Sequence, residues 1–434
     1  MKSWSCSDLH YSLYLAPDKI RTCCQRFFVD GKMQGDVELL TIDRHESAQP
    51  ILDLSLLAKQ NLYLNINNGE KTKCYGCPKL TYQEWPEIER LDIKHLSLEY
   101  HSICNLKCTY CSDVYYGGLN PNYDISDLIN KMYTSSMLDN CNSIVWGGGE
   151  PLADINFSIL LQYLVENINA KYRVFTNAIK YSELLEKLIS SDLASITTSI
   201  DAGTRSTYSA VRGKDKLDFV IKNLKKYSSK RPENIIIKYI FTDEKNQSLS
   251  EIKSFISLMK ENKLHKCCFQ ISCDYFHEDI PKDQLVSMII MYSLIRNELN
   301  ATVFFDDLLW HRMSKTFKNN KLTILKSIDN FEIPNVLAKY DGINSVVVWG
   351  AGSIAKNLVN YSNFFDNIGI ENFVDSNYLE IESPFCGKEV LSPETLLDSD
   401  VMIVISAALN YPSILKDFSR LGIDEKRIIN GLII

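Results

Sequence analysis

The stretch CNLKCTYC, residues 104–111, places three cysteines at a CxxxCxxC spacing directly after the apolar run 93–100. Three thiolates this close together can hold one face of an iron–sulfur cluster, whereas a [4Fe–4S] cluster bound by cysteine alone takes four. One iron would then stay open to a ligand other than the protein. A structural zinc site normally closes with four ligands, and no neighbour offers a clear fourth, although His101 is close. Zinc and a group of buried cysteines remain alternatives.

The composition is that of an ordinary globular protein. Its 434 residues are 45% hydrophobic and 23% charged, which predicts a soluble chain of two or three domains. The net charge of −7 argues against nucleic acid as a partner. No signal-like segment and no run of about 18 apolar residues is present, so we expect a cytoplasmic protein without a membrane partner. Thirteen cysteines then indicate metal or redox chemistry.

Residues 91–306 alternate short apolar runs with amphipathic stretches. Strands are predicted at 96–100, 143–146, 173–176, 195–200, 235–241 and 268–271. Helices are predicted at 125–138, 157–168, 181–190, 214–227 and 249–261. Six such units predict an α/β fold with a parallel sheet and outer helices. Functional side chains should then follow the carboxyl ends of the strands.

A glycine turn follows the second predicted strand. It reads WGGGEP, residues 146–151. Consecutive glycines let the backbone approach a ligand closely and adopt dihedrals that other residues avoid, and Glu150 could accept hydrogen bonds from an ammonium group. A glycine run after a strand is by itself often no more than a turn.

The cysteine loop and the glycine turn, in this order, resemble the CxxxCxxC and GGEP signatures of the radical SAM superfamily. The resemblance implies that 91–306 is a partial (β/α)6 TIM-like barrel, with a [4Fe–4S] cluster on Cys104, Cys108 and Cys111 and S-adenosylmethionine on its open iron. It also implies reductive cleavage of that cofactor to a 5′-deoxyadenosyl radical. An electron donor such as flavodoxin or ferredoxin is an expected partner.

The resemblance also implies which residues bind the cofactor. They are Tyr110, Gly148, Gly149, Glu150, Thr176, Asn177, Ser199, Asp201 and Arg212. Glu150 would bind the amino group, Arg212 the carboxylate, and Tyr110 would pack near the adenine, while the third and fourth strand ends would line the ribose and methionine. A solvated arginine at a helix end remains the alternative for Arg212. No catalytic side chain is predicted.

Residues 1–90 carry few long helical patterns but five cysteines, namely Cys6, Cys23, Cys24, Cys74 and Cys77. A hairpin predicted over residues 11–22 would bring Cys6 near Cys23 or Cys24. The CxxC pair further along would complete four ligands for a closed cluster or a structural zinc. The segment is similar to an abbreviated SPASM module, which implies a second iron–sulfur cluster; zinc and unliganded thiols remain alternatives.

The C-terminal part begins a new pattern after a connector at 307–340 with one or two helices. Within residues 341–434, a predicted strand at 345–349 leads into a GxGxxA loop and a helix at 355–364. Asp375 ends the next strand, as in dinucleotide-binding units. This predicts a Rossmann-like domain that either binds a nucleotide through Gly350, Gly352 and Asp375 or docks a partner.

Five further cysteines lie outside these patterns. Cys267, Cys268 and Cys273 lie around the sixth predicted strand, and because alternate residues of a strand face opposite ways, not all three thiols can face one site. Cys273, near the sixth strand end, is predicted to be a further cluster ligand, a hydrogen-atom donor or a buried thiol. We predict Cys141 and Cys386 to be core residues.

Three functions are compatible with the sequence. The first is a radical SAM enzyme that acts on a sugar, nucleotide sugar or related small metabolite. The second is a peptide or protein maturase. The third, which is not an enzyme, is a metal-binding scaffold with a partner-docking tail.

Overall fold

The computed structural model describes residues 2–111, 117–242, 245–276, 278–306, 309–331, 333, 338, 342–381, 383–407, 411–429 and 431–433. The chain forms two compact units, Met1–Ser199 with Tyr208–Ile236, and Ile200–Thr207 with Ile237–Ile434. Among the described residues, no helix combines the length and apolarity needed to cross a membrane.

The strands are short and spread over the whole chain. They are β1 (Lys2–Ser5), β2 (Ser12–Ala16), β3 (Lys19–Arg21), β4 (Arg26–Val29), β5 (Lys32–Gly35), β6 (Glu38–Thr41), β7 (Thr81–Glu84), β8 (His95–Leu98), β9 (Ser143–Trp146), β10 (Lys171–Phe175), β11 (Ala194–Ser199), β12 (Ile235–Phe241), β13 (Cys268–Cys273), β14 (Val303–Phe305), β15 (Ser345–Trp349), β16 (Gly369–Val374), β17 (Val390–Leu391) and β18 (Met402–Ile405).

The helices alternate with the strands in most of the chain. They are α1 (Ser7–Tyr11), α2 (Ala48–Asn67), α3 (Ile125–Thr134), α4 (Phe157–Asn167), α5 (Glu183–Ser190), α6 (Arg205–Arg212), α7 (Leu217–Tyr227), α8 (Leu249–Glu261), α9 (Lys282–Glu298), α10 (Leu309–Asp329), α11 (Ser353–Tyr361) and α12 (Tyr411–Leu421).

A parallel sheet forms the centre of the first unit. β8, β9, β10 and β11 lie side by side in chain order, and a helix connects each neighbouring pair. Ile144, Val174 and Ile196 are fully buried, as expected for parallel strands that are covered on both faces. The predicted strands at 143–146 and 235–241 and the predicted helix at 249–261 match the structure residue for residue. The molecule is therefore a mixed α/β protein, while closure into a six-strand barrel stays a prediction.

The helices of this unit follow from their apolar spacing. In α3, Ile125, Leu128, Ile129 and Met132 recur at three- and four-residue intervals and are buried. The Asp124 carboxylate precedes this helix and accepts hydrogen bonds from two backbone N–H groups of its first turn, at 2.8 and 3.1 Å. This capping explains why the helix begins where the sequence predicts.

The N-terminal segment extends the central sheet. β2 pairs in parallel with β8 and antiparallel with β3, which pairs with β6. The hairpin predicted over 11–22 is therefore confirmed. The domain boundaries at 90, 306 and 340 stay predictions.

The sequence predicts no helix at 48–67, where the structure has α2, a helix of 20 residues. Its leucines at 52, 54 and 56 and again at 62 and 64 alternate as they would in a strand, which hides the helical period. Pro50 lies in the first turn, where a missing backbone N–H costs no helical hydrogen bond.

The second unit contains β12, β13 and β14 side by side, with α8, α9 and α10. α10 has a non-helical residue, Asn320, so it corresponds to the one or two helices predicted for the connector. The connector positions 307, 308, 332, 334–337, 339 and 340 lie outside the described residues.

A separate four-stranded parallel sheet lies near the C-terminus, in the order β17-β16-β15-β18. Trp349 stacks on Phe418 of α12, with ring centroids 5.1 Å apart, and Val374 and Ile403 complete this core. The strand predicted at 345–349 is confirmed. The Rossmann-like designation of this part stays a prediction.

Candidate functional site

The cysteine loop follows β8 and is held against the end of α6. The Lys107 N–H donates to the Arg212 carbonyl at 3.2 Å, and the Thr109 N–H donates to the Val211 carbonyl at 2.9 Å. The Lys214 ammonium donates to the Asn105 carbonyl at 2.7 Å. The three thiols Cys104, Cys108 and Cys111 are half-buried on this one loop, and those of Cys108 and Cys111 are hydrogen-bonded to each other.

The electrostatic surroundings favour a thiolate on this loop. A hydrogen bond with Cys111 and the positive charge of Arg212 lower the pKa of the Cys108 thiol to about 6, although burial opposes them. Burial raises the pKa of Cys104. Because the thiolate is the form that binds metal, the loop is suited to metal ligation.

Arg212 is a buried cation beside the cysteine loop. Its side chain is 5% exposed, and its Nη1 donates a hydrogen bond to the Tyr110 hydroxyl. The guanidinium carbon lies 5.7 Å from the centroid of the Tyr110 ring. The alternative of a solvated arginine is therefore wrong. Binding of a cofactor carboxylate by Arg212, and packing of Tyr110 near adenine, stay predictions.

The glycine turn packs on the backbone that leads into the cysteine loop. The Gly149 N–H donates to the His101 carbonyl at 3.1 Å, and the Glu150 N–H donates to the Ile103 carbonyl at 2.8 Å. Gly148 has a φ of +82°, and a Cβ atom there would lie 2.7 Å from the His101 oxygen; a Cβ at Gly149 would meet the Ile103 carbonyl. Glycine is needed here because two backbone segments touch.

Glu150 connects the ends of β9 and β10. Its buried carboxylate accepts hydrogen bonds from the Leu152 N–H at 3.2 Å, the Thr176 hydroxyl at 2.7 Å and the Asn177 N–H at 2.6 Å. Burial raises the pKa of this carboxyl, and the three donors oppose that rise. Only one of the three bonds reaches Oε2, so this oxygen can accept a further hydrogen bond.

Asn177 links this carboxylate to the cysteine loop. Its Nδ2 donates to Asn105 Oδ1 at 2.6 Å and lies 3.9 Å from the Cys104 sulfur. The structure thus brings together Glu150, Thr176, Asn177 and Cys104, as the sequence predicts for residues that follow neighbouring parallel strands.

The last two predicted cofactor residues belong to different units. Ser199 ends β11 in the first unit, whereas Asp201 lies in the second. Asp201 is fully buried, and its Oδ1 accepts a hydrogen bond from the Ile240 N–H at 2.7 Å. Asp201 therefore has a structural partner of its own, and the cofactor role of both residues stays a prediction.

Four of the five N-terminal cysteines line one small cavity. They are Cys6, Cys23, Cys74 and Cys77. Cys24 is not among the lining residues. Burial raises the pKa of its thiol, on which Glu99, Tyr14, Arg21 and Cys23 also act. The sequence predicts that Cys6 lies near Cys23 or Cys24, and of these two it is Cys23 that lines the cavity together with Cys6.

The predicted nucleotide-binding residues lie at one end of the C-terminal sheet. Asp375 Oδ2 accepts a hydrogen bond from the Ala351 N–H at 3.0 Å, so this carboxylate lies against the glycine loop. Gly350 has a φ of +105°, and a Cβ there would lie 2.6 Å from the Ser406 hydroxyl. The space around Gly352 is open. Nucleotide binding by these residues stays a prediction.

The other cysteines differ in their surroundings. Cys141 is buried as predicted, but the prediction for Cys386 is wrong, because its side chain is exposed in an irregular segment before β17. Cys273 is buried, and Arg312 Nη1 lies 3.2 Å from its sulfur. Burial raises the pKa of Cys273 to about 12, which keeps the thiol neutral.

Comparison with protein families identifies the central part of the chain. Residues 98–258, which contain the cysteine loop and the glycine turn, match the radical SAM superfamily. This segment is a radical SAM domain. The superfamily uses a [4Fe–4S] cluster and S-adenosylmethionine. Residues 342–429 match a second family, described as C2185-like, N-terminal.

Several solved structures are similar to part of this chain. Native anSMEcpe with bound AdoMet and Cp18Cys peptide is 19% identical over 48% of this chain and 62% of its own, with a TM-score of 0.38. Streptococcus suis SuiB bound to S-adenosylmethionine is 17% identical over 49% and 50%, with a TM-score of 0.36. A radical SAM methyltransferase from Sphaerobacter thermophilus is 13% identical over 48% and 64%, with a TM-score of 0.36. The aligned part spans less than two thirds of each of these chains.

A search of curated proteins finds no match to this chain.

The residues of the radical SAM domain fit its cofactors. Three thiols on one loop, with Arg212 beside them, suit a cluster that keeps one iron open. The buried hydroxyl of Thr198, on β11, has no hydrogen-bond partner among the described residues. Glu150 retains an acceptor for an ammonium group. Cys104, Cys108 and Cys111 would hold the cluster.

Sequence reasoning missed Glu99 in the radical SAM domain. Glu99 directly follows β8, and its carboxylate accepts hydrogen bonds from the Arg21 guanidinium and, at 3.3 Å, from the Ser97 hydroxyl. Its side chain lies beside the glycine turn, with its Cγ 3.4 Å from the position of a Cβ at Gly147. The sequence does carry a signal for Glu99. It is an acidic residue at the end of a predicted parallel strand, five positions before the first loop cysteine.

Proposed function

We propose that this protein is a radical SAM enzyme that reductively cleaves S-adenosylmethionine and abstracts a hydrogen atom from its substrate. The observation that carries the proposal is the cysteine loop: three thiols beside the buried Arg212, next to a buried carboxylate with a spare acceptor. When bound, the [4Fe–4S] cluster and S-adenosylmethionine supply the electron transfer and the 5′-deoxyadenosyl radical.

The side chains of the domain position and shield this chemistry. Glu150 accepts from the amino group of the cofactor, because Oε2 has room for a further donor. Arg212 binds the carboxylate, for which a planar guanidinium is well suited. The Asn177 amide fixes the loop against the end of β10 through Asn105, so the ligands keep their places when the cofactor binds.

We infer that the substrate is a sugar, a nucleotide sugar or a related small metabolite. The support is the C-terminal parallel sheet with its glycine loop and Asp375, an arrangement that suits a phosphorylated ligand. An electron donor such as flavodoxin or ferredoxin would serve the cluster.

Cofactor cleavage is tested with the full chain, reconstituted anaerobically with iron and sulfide and supplied with S-adenosylmethionine and dithionite. We expect 5′-deoxyadenosine and methionine, detected by mass spectrometry. Cys104→Ala should abolish both, while Cys386→Ala, which changes an exposed thiol far along the chain from the loop, should leave them unchanged. A loaded, folded protein that forms no 5′-deoxyadenosine would contradict the proposal.

The substrate class is tested by deuterium transfer. Deuterated nucleotide sugars and deuterated peptides are incubated separately with the reconstituted protein, and 5′-deoxyadenosine is examined for deuterium. Deuterium from the nucleotide sugars alone supports the inference, whereas deuterium from the peptides alone overturns it in favour of a maturase.

A further inference from the structure

The second unit contains a cavity of about 90 Å³. Its walls come from α9, β14 and α11, from the residue after β18 and from described residues between positions 428 and 433. One water needs roughly 10–15 Å³ of such space, so the cavity can take part of an organic ligand. The side chains that matter for its chemistry are Tyr292, Arg296, Phe305, Ile354, Leu358 and Ser406.

The cavity adjoins the glycine loop that follows β15. Ser406 lines the cavity, and its hydroxyl donates to the Trp349 and Gly350 carbonyls, at 3.0 Å in each case. A Cβ atom at Gly350 would lie 2.6 Å from the same hydroxyl. Ile354 and Leu358, one turn apart on the helix that follows the loop, also line the cavity. A ligand held by the glycine loop would therefore have this cavity as its neighbour.

The order of the strands marks the same place. The chain runs from β15 through β16 to β17 and then returns to the other edge of β15 with β18. The strand order thus reverses between β15 and β18. In open parallel sheets, ligands bind outside the carboxyl ends of the strands at such a reversal. The glycine loop follows β15 and Ser406 follows β18, so the cavity lies at the reversal, and this argument does not depend on the glycine motif.

The size and the apolar walls of the cavity favour one flat ring. Tyr292 stacks on Phe305, with ring centroids 5.4 Å apart and an angle of 6° between the planes, while Ile354 and Leu358 add aliphatic surface. An apolar cavity of about 150 Å³ takes up a benzene ring. The present cavity is smaller, so it has no room for the two fused rings of a purine. Among the nucleotide bases it therefore suits a pyrimidine.

Arg296 distinguishes among pyrimidines. It lies four residues after Tyr292 on α9, on the same helix face, and it alone carries a charge among the described residues that line the cavity. A guanidinium has five N–H donors and no acceptor. It can donate to a ring carbonyl oxygen but cannot accept from a ring amino group. Thymine and uracil carry a carbonyl where cytosine carries an amino group, so Arg296 favours the first two.

We propose that this cavity binds the uracil or thymine ring of a nucleotide whose phosphates lie at the glycine loop, and that Arg296 selects the ring by donating to its carbonyl oxygens. The N-terminus of α11 presents backbone N–H groups to phosphates, and the space at Gly352 is open. This inference rests on the proposed function, because it takes the substrate to be a nucleotide sugar. It adds which base the nucleotide carries and which residue recognises that base.

Base selection is tested by isothermal titration calorimetry of the full chain with UDP, CDP and ADP. These probes carry the same ribose and phosphates, so a difference in Kd reports the base. We expect the Kd for UDP to be about tenfold or more below the other two. A Kd for CDP or ADP equal to or below that for UDP overturns the inference but leaves nucleotide binding by the glycine loop intact.

The failure of the proposed function gives a different result. If none of the three nucleotides binds, both this inference and the nucleotide-sugar substrate are overturned. Formation of 5′-deoxyadenosine with dithionite reports on the radical chemistry separately, because that reaction requires no nucleotide.

The role of Arg296 is tested by substitution. Arg296→Met should raise the Kd for UDP about tenfold or more and bring it close to the Kd for CDP. Arg420→Met, which changes an exposed arginine of α12, is the matched control and should keep the preference for UDP. Circular dichroism verifies folding, and Arg296→Gln replaces Arg296→Met if the latter does not fold. A preference for UDP that persists in the folded variant overturns the assignment of Arg296.

The cavity itself is tested by filling it. Ile354 is half-buried in the cavity wall, so Ile354→Trp should occupy the space of the base and weaken UDP binding about tenfold or more. Ile159→Trp, at a position of α4 that is 73% exposed, introduces the same side chain elsewhere and should leave the Kd unchanged. Equal Kd values for UDP in the two folded variants would show that the base does not enter this cavity.

Discussion

At the scale of single residues, charge placement prepares the radical SAM domain for its ligands. Arg212 is buried beside the loop thiols and lowers the pKa of Cys108. Glu150 is buried with three donors but keeps room for another. We propose that Arg212 binds the carboxylate and Glu150 the ammonium group of the cofactor.

Replacing Arg212 tests this placement. Arg212→Gln removes the positive charge, and since a hydrogen bond to a charged group contributes about 1.5–3 kcal/mol, the Kd for S-adenosylmethionine should rise about 10- to 100-fold. Equilibrium dialysis with the reconstituted protein measures the Kd. Arg231→Gln, which alters an exposed arginine paired with Glu233, is the control; an equal effect of both variants would rule out the specific role of Arg212.

At the scale of elements, the N-terminal strands and the radical SAM domain share one sheet and one buried ion-pair network. Arg21 at the end of β3 donates to Glu99 after β8 and, at 3.0 Å, to Asp36. Asp36 also accepts from Arg26 Nε at 2.7 Å. The strand pairing of β2 with β8 places these groups together. The ion pairs therefore connect the N-terminal segment to β8, the strand that precedes the cysteine loop.

Breaking this network should destabilise the protein. Arg21 is 2% exposed, and Arg21→Met leaves Glu99 without this cation while Asp36 keeps Arg26, so the free energy of unfolding should fall by about 1–3 kcal/mol. The free energy of unfolding is measured from the first transition of a urea denaturation curve. Arg231→Met, at an exposed ion pair, should cost at most about 1 kcal/mol; a similarly small loss for Arg21→Met would show that the network contributes little.

At the scale of the whole molecule, the chain combines a radical SAM domain with a separate C-terminal parallel sheet. The glycine loop and Asp375 lie at one end of that sheet, and the Asp375 carboxylate accepts a hydrogen bond from the Ala351 N–H. A ligand for this part of the chain would therefore meet a preformed loop and not one that folds on binding.

Thermal unfolding tests whether this loop binds a nucleotide. Nucleotide sugars or NAD should raise the Tm of the full chain by a few degrees at saturating concentration, and Asp375→Asn should remove that shift. Asp398→Asn, outside the glycine loop, should preserve it. If no ligand shifts the wild-type Tm, a role in docking a partner is favoured instead.

The local features of this protein can be predicted from its sequence. The strands at 143–146 and 345–349, the order of the cysteine loop and glycine turn, and the convergence of Glu150, Thr176 and Asn177 with Cys104 follow from apolar periodicity and from parallel strand ends. Such signals are carried by neighbouring residues in the chain, so they can be read without the fold.

Contacts between residues that are distant in the sequence are visible in the folded structure alone. It showed that Arg212 is buried, that Glu99 bonds Arg21 across 78 positions, and that Cys23, not Cys24, lines the small N-terminal cavity. It also revealed α2, whose alternating leucines conceal a helix, and the exposure of Cys386. Burial and charge pairing depend on which segments pack together, and that packing is a property of the whole fold that no local spacing encodes.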